Sequence, residues 1–458
     1  MTVSNTVPRF ATCTIGQCTR PAVRGLSCGR CKNHLCVKHQ SSQFHGCPSG
    51  SQASWEKAID DEVAELLSAL DANELARVAS SLNGGNPCVF RPGQHLGTGA
   101  IMGCANYHGW LDFEDGQKWL VRIPRTGFGT VPADLIEYFV AREYATLKFL
   151  ETTKVPAAKA FGSGLASDPA NHVGVNYILM EALPGKPYYS HEATEDQKKH
   201  VLAQIADVMV EISNHPFRLA GSCVVEDGQV KVAEVASDRF INLGRYGPFE
   251  SDAAYFASII EQHLDLIADG QLYHTCPKEA FLFYRLFAQN IDELCGDEPR
   301  DTFFLKHVDD KGDHILIDDK YNIVGIIDWQ FARTVPAREA FGPSLLTADL
   351  DCLYSGKAGI TKDDMEIDGA LRLRGREDLA TFASGDELIR RFQLGLPSGF
   401  TRAEIRQLTK AVLVTLRPGE DDINMEGWES DEWVRCRDDY RTTQIESLIS
   451  EQISLQMM

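Results

Sequence analysis

Apolar positions change period several times along this chain, and each change predicts an element. From Trp55 to about Leu70, and again from Asn73 to about Leu82, they recur at helical spacing, and Asn83-Gly84-Gly85-Asn86-Pro87 ends the second run. The pattern predicts an antiparallel helical lead-in. Strand-like segments follow, closing on Trp119-Leu120-Val121-Arg122-Ile123-Pro124. A helix is then predicted over about Asp134 to Leu150, where Ile136, Val140, Glu143, Leu147 and Leu150 form one stripe. Tyr177 to Glu181 reads as a short apolar strand running into Ala182-Leu183-Pro184-Gly185. Helical spacing dominates afterwards, from about Thr194 to Ser213, Pro277 to Leu294, Asp386 to Leu394 and Thr401 to Leu416. Inside this helical half, Phe303 to Asp309 leads to a hairpin, with His314 to Ile317 and Ile323 to Asp328 flanking a turn at Asp318 to Asn322. No repeat of solenoid period is present, so the main body is one large domain or two intimately packed lobes.

Two charges break this pattern. Glu143 lies in the apolar stripe, where a carboxylate is costly unless paired, and Arg122 inside an apolar strand is its candidate partner. The alternative is a Glu at the stripe's edge that reaches solvent. The hairpin should bring Asp309, His314 and Asp328 together where it opens. Magnesium on nucleotide phosphates wants hard oxygen ligands, and a hydroxyl substrate wants a carboxylate to orient it and take its proton; both needs can be met there. The run Leu96-Gly97-Thr98-Gly99-Ala100-Ile101-Met102-Gly103 would suit a phosphate-covering hairpin, or a turn whose glycines only permit positive φ.

Composition separates the first fifty residues from the rest. The 458 residues carry a net charge of -20, yet up to Cys47 there are Arg9, Arg20, Arg24, Arg30, Lys32 and Lys38 and no Asp or Glu. Such acidity argues against nucleic acid as the main partner, although the basic segment admits weak RNA contact. Six of the 13 cysteines fall between Cys13 and Cys47, interleaved with His39 and His45. Cys13, Cys18, Cys28, Cys31, Cys36, His39, His45 and Cys47 are eight ligands for two tetrahedral zinc ions with closed, structural coordination. A disulfide framework is the alternative. The start lacks a signal-peptide pattern and no window is long and apolar enough for a membrane span, so the expected location is intracellular, cytoplasmic or nuclear, with no membrane partner. The small polar stretch after Cys47 reads as a linker allowing the two parts to move. The acidic run from Glu420 to Glu432 reads as solvated surface, or as an acidic lobe for a cationic substrate.

The ligand spacing resembles the AN-one class of zinc finger. That resemblance implies one ion on Cys13, Cys18, Cys36 and His39, the other on Cys28, Cys31, His45 and Cys47, and a protein partner for the finger. The sequence His307-Val308-Asp309-Asp310-Lys311-Gly312-Asp313-His314, with Ile326-Ile327-Asp328-Trp329, resembles the aminoglycoside phosphotransferase and choline kinase pattern, most closely in its fungal members. This implies an α+β, two-lobed protein-kinase-like fold with a β-rich N-lobe and a helical C-lobe. The expected domains are a finger over 8–49, a linker and helical lead-in over 50–88, an N-lobe over 89–182 and a C-lobe over 183–458. By the same resemblance Asp309 is the catalytic aspartate, Asp328 the main magnesium ligand, Arg122 and Glu143 the phosphate-anchoring pair, Gly97 and Gly99 the phosphate turn, and Met180 and Glu181 the adenine hinge. ATP and a small hydroxylated acceptor are the implied substrates. Three positions depart from the pattern: His314 stands where active relatives place Asn, Arg122 replaces Lys, and Val308 replaces Gly. Asp313 could restore an oxygen ligand, manganese could replace magnesium, or the chain could be a catalytically inactive, pseudokinase-like adaptor that binds nucleotide or metabolite.

Overall fold

A computed structural model describes residues 7, 9–25, 28, 33–40, 45, 52–93, 105–125, 131–236, 244–296, 301–395, 400–420 and 422–456. Two helices come first, α1 (Gln52–Ala69) and α2 (Ala72–Leu82), the second capped by the Asp71 carboxylate, which accepts from the Asn73 and Glu74 amides. Strands β1 (Cys88–Pro92), β2 (Asn106–Phe113), β3 (Lys118–Pro124), β4 (Ala160–Gly164) and β5 (Tyr177–Glu181) form an antiparallel sheet in the order β1-β2-β3-β5-β4.

Alternation along β3 sorts its side chains onto two faces. Trp119, Val121 and Ile123 meet Tyr107, Leu111, Phe113, Tyr177 and Leu179, and on this face lie Ile59, Val63 and Leu66 of α1 and Leu75 and Ala79 of α2. Both lead-in helices therefore pack on the sheet. A buried ion pair between Arg125 and Glu62 at 2.7 Å fastens α1 to the end of β3. The helix also takes in Gln52 to Ser54, which the sequence assigned to the linker. The opposite face carries Leu120, Ile178 and Met180, against Val140, Ala145, Leu147 and Leu150 of α3 (Ala133–Leu150). Arg122 falls on this second face by its register, opposite His108 and Ile178.

The chain passes to the helical lobe through a turn at Gly185, where φ is +106° and a Cβ would lie 2.9 Å from the Ile317 carbonyl oxygen. Only glycine suits both conditions. The next two residues, β6 (Lys186–Pro187), pair with the later hairpin. Helix α4 (Glu195–Ser213) starts in a complete capping box of Thr194 and Gln197. After the β7 (Ser222–Glu226) and β8 (Gln229–Ala233) hairpin come α5 (Asp252–Ala268), α6 (Pro277–Gln289) and α7 (Ile291–Cys295). The run predicted as one helix over Pro277 to Leu294 is thus broken at Asn290.

Strand β9 (Phe303–Lys306) leads into the loop before β10 (Ile315–Ile317) and β11 (Ile323–Ile326), and β12 (Arg333–Pro336) returns to pair with β9. Asp318 holds the hairpin turn, its carboxylate accepting from the Lys320 and Asn322 amides. Eight helices complete the described lobe: α8 (Ala337–Phe341), α9 (Leu350–Tyr354), α10 (Lys362–Leu373), α11 (Glu377–Ala383), α12 (Leu388–Gly395), α13 (Arg402–Leu416), α14 (Met425–Arg435) and α15 (Tyr440–Gln456). Within the acidic run expected to be solvated surface, Glu432 is buried instead and accepts from Gln289 at 2.6 Å. None of the described helices is long and apolar enough to cross a membrane.

The cysteine-rich segment is docked on the helical lobe, which corrects the expectation of a freely moving finger. Arg24, 2% exposed, donates from its main-chain amide to the Gln271 carbonyl at 2.9 Å and from Nε to Gln271 Oε1 at 2.7 Å. Its guanidinium stacks 3.8 Å from the Phe10 ring. Arg9 pairs with Asp269 at 3.2 Å and Arg20 with Glu451 of α15 at 2.5 Å. Val23 and Leu35 are fully buried.

Candidate active site

The two charges that break the apolar pattern meet in the cleft between the lobes. Arg122 Nε lies 3.1 Å from Glu143 Oε2, an ion pair off the line of the N–H bond. Its Nη2 lies 2.5 Å from Asp328 Oδ1 and 3.2 Å from Gln330 Oε1. Gln330 in turn accepts from Asn106 Nδ2 at 3.0 Å, which spans β2, β3 and the segment after β11. Asp328 holds φ at +65°, a left-handed conformation that a non-glycine residue adopts at a cost of about 1–3 kcal/mol.

The two carboxylates around Arg122 respond in opposite directions. Burial pushes Asp328 up, but the charges of Arg122 and His314 outweigh it and hold the carboxyl at about 2. Glu143 is 3% exposed, so loss of water dominates over Arg122 and raises its carboxyl to about 7. Burial lowers Arg122, yet the carboxylates of Glu143 and Asp328 raise it further than burial depresses it.

The loop after β9 brings the remaining polar groups alongside. His314 Nδ1 is 2.8 Å from the Asp309 carbonyl oxygen, its Nε2 is 3.5 Å from Asp328 Oδ2, and its Nδ1 is 3.9 Å from Asp309 Oδ2. Lys311 reaches both Asp309 at 3.4 Å and Asp313 at 3.6 Å, so Asp313 lies beside Lys311 rather than Asp328. Two supports lie behind the loop. Lys306 and Asp310 form a buried pair at 2.7 Å, with Asp310 also accepting from the Leu345 amide. His307 donates from Nε2 to the Ile327 carbonyl at 2.8 Å and packs edge-on against Trp329; burial, then the charge of His314, keeps it below its ordinary value. Sequence reasoning missed Gln330, Asn106 and the Lys306–Asp310 pair, whose amide and ion-pair partners are distant in sequence and leave no periodic trace.

Of the expected adenine hinge, Met180 is buried on the cleft face of β5, and the Glu181 amide already donates to the Lys159 carbonyl at 2.8 Å. Gly97 and Gly99 lie outside the described residues, as do Cys31 and Cys47. Cys28 and His45 are described singly and away from a complete ligand set.

Among the described residues, one set of three or more ligand atoms is close enough to share an ion: Cys13, Cys18, Cys36 and His39, all within 4.8 Å. Cys13 Sγ is 3.1 Å and Cys36 Sγ 3.5 Å from His39 Nδ1, and Cys18 and Cys36 sulfurs are 3.9 Å apart. Sulfurs bound at 2.3 Å around a tetrahedral zinc stand about 3.8 Å apart, so the donor set suits that ion.

Residues 103–347 match the phosphotransferase enzyme family. No curated protein matches the chain. Among solved structures, the GDP complex of aminoglycoside 2'-phosphotransferase-IIIa is 14% identical, covering 83% of this chain and 98% of that one with a TM-score of 0.39. A macrolide 2'-phosphotransferase from Brachybacterium faecium is 13% identical over 82% and 98%, at 0.35. A Thermobifida fusca protein assigned as a fructosamine-3-kinase is 16% identical over 75% and 99%, at 0.46.

Proposed function

The chain belongs to the phosphotransferase enzyme family, and on that footing we propose that it moves the γ-phosphoryl group of ATP onto a hydroxyl group of a small molecule. The observation that carries this reading is the convergence of Arg122, Glu143, Asp328, His314 and Asp309 in one cleft. Arg122 leaves Asp328 to grip phosphate oxygens, while Glu143 keeps the guanidinium aimed. Asp309 orients the acceptor hydroxyl and takes its proton as the new oxygen–phosphorus bond forms and ADP departs. A divalent metal, magnesium or manganese, would neutralise phosphate charge in such a site; Asp328 and His314 are the residues that would hold it, while Asp313 pairs with Lys311. The adenine lies along the backbone after Met180 and Glu181, with the Gly97 and Gly99 turn over the phosphates.

For the finger we propose two structural zinc ions, one on Cys13, Cys18, Cys36 and His39 and the other on Cys28, Cys31, His45 and Cys47. Its Arg9, Arg20 and Arg24 engage the helical lobe, so the docked surface acts as a clamp within the chain. A protein partner is left the face turned away from that lobe.

A second reading, a nucleotide-binding adaptor without turnover, is favoured by one feature. Both oxygens of Asp328 face cationic or imidazole groups, Arg122 and His314. One experiment separates the two: ATP consumption with magnesium and with manganese, against aminoglycosides, choline, sugars and amino-acid analogues. The expected result is turnover that falls about 10²- to 10⁴-fold in Asp309→Asn while the ATP-dependent thermal shift persists. Equal turnover in that variant sinks the catalytic assignment, and an ATP-dependent shift without turnover in the unaltered protein selects the adaptor.

A further inference from the structure

We propose that Asp310, the residue after Asp309, is a positioning residue: paired with Lys306, it fixes the loop that carries the catalytic carboxylate. This deepens the phosphotransfer reading and rests on it for the role of Asp309. The two consecutive carboxylates are turned to different neighbours. Asp309 Oδ2 lies 3.4 Å from Lys311 Nζ and 3.9 Å from His314 Nδ1. Asp310 instead sets Oδ2 2.7 Å from Lys306 Nζ, while its Oδ1 accepts from the Leu345 amide at 3.2 Å. One oxygen is engaged by strand β9 and the other by the segment after α8, so the loop is tied at this residue from two directions.

Stability does not account for such a pair. Lys306 is 6% exposed at the end of a strand in which Phe303 and Leu305 are buried. Taking two charges out of water costs about as much as their attraction returns, and apolar residues of similar volume commonly stabilise a fold as well or better. A hydrogen-bonded ion pair adds direction, which apolar contact lacks. Packing alone does not hold the loop. Ile205 and Met209 of α4, together with Leu346 and Ile367, line a cavity of about 80 Å³ beside Lys306 and Asp310. Without the pair the loop has room to sink, and Asp309 would move with it.

The far end of the tether is fixed in turn. The Ser344 carbonyl accepts from Arg390 of α12 at 3.3 Å, and the Thr347 hydroxyl donates to Asp364 of α10. Both oxygens of Asp364 lie 3.1 Å from Arg390 Nη1, and the two side chains are each 1% exposed. Leu345 therefore offers its amide from a frame set by two helices. The place of Asp309 is fixed from α12 through Leu345 to Asp310.

The test uses the full chain and two variants. Lys306→Met combined with Asp310→Leu removes both charges and keeps apolar bulk; Thr347→Val removes the bond to Asp364 at the same shape. Hydrogen exchange read by mass spectrometry follows the loop over 307–314, and ATP consumption with the acceptor panel follows turnover. In the double variant the loop amides should exchange at least about tenfold faster while the melting temperature stays the same. The kcat should fall about 10- to 100-fold with KM for ATP unchanged, the size of loss that a misplacement of about 1 Å produces. Thr347→Val should move both readouts in the same direction by less, and it carries the test if the double variant does not fold. Unchanged loop exchange, or faster exchange with unchanged kcat, overturns the inference and leaves phosphotransfer standing. Faster loop exchange in a protein that consumes no ATP with any acceptor overturns the phosphotransfer reading and the role of Asp309, while the anchoring of the loop by Asp310 stands.

Discussion

Arg122 stands between two carboxylates that answer to pH with opposite sign. Glu143 rises from its ordinary 4.5 to about 7, so between those values the folded protein keeps a proton that the unfolded chain has released. Stability therefore falls as pH climbs through that window and levels off above it. Asp328, held at about 2 against an ordinary 3.8, contributes stability that is lost as pH drops below about 4. In Glu143→Gln the decline between pH 5 and 7, on the order of 1–3 kcal/mol, should disappear while the acid limb remains. Urea denaturation across that range checks this, and an identical slope in the variant refutes it. Arg122 and Glu143 were legible in sequence because each puts a charge where the hydrophobic period demands an apolar residue. Gln330 and Asn106 were not, since an amide on a loop and another at a strand end violate no pattern until the fold joins them.

At the scale of elements, the hairpin β10–β11 and the turn before β6 place the site between the lobes. Gly185 combines a φ of +106° with a carbonyl 2.9 Å from where a Cβ would sit. Gly185→Ala should therefore destabilise the protein by about 2 kcal/mol or more, read as a lower urea midpoint with an unchanged m-value. An unaffected midpoint would mean that the turn relaxes freely. The strand, the turn and the long helix over Ala133–Leu150 could be read from periodicity alone. The break at Asn290 could not, because α6 and α7 bury apolar residues on both sides of it and the spacing runs on through the interruption. Glu432 also misled, since its partner Gln289 lies on another helix and a run of acids ordinarily means water.

For the whole molecule, the contrast between a basic first segment and an acidic remainder was visible in composition, but its meaning was not. The sequence suggested separate parts with separate partners. The fold instead sets Arg9 and Arg20 against Asp269 and Glu451, and buries Arg24 on Gln271. On the proposal that zinc fills the Cys13, Cys18, Cys36 and His39 set, stripping it with a chelator should thus lower the melting temperature of the entire chain in one transition, by several degrees, because the ion's binding energy would be linked to the folded state. A helical lobe that melts at the same temperature after zinc removal would contradict this coupling. The contact from Arg20 to Glu451 also spans 431 residues. On the ribosome the first segment is made long before the helix that receives it, so Arg20 emerges with no Glu451 to meet it. The newborn chain therefore carries an undocked basic segment until α15 has been made, and this contact can close only after the helical lobe exists to receive it.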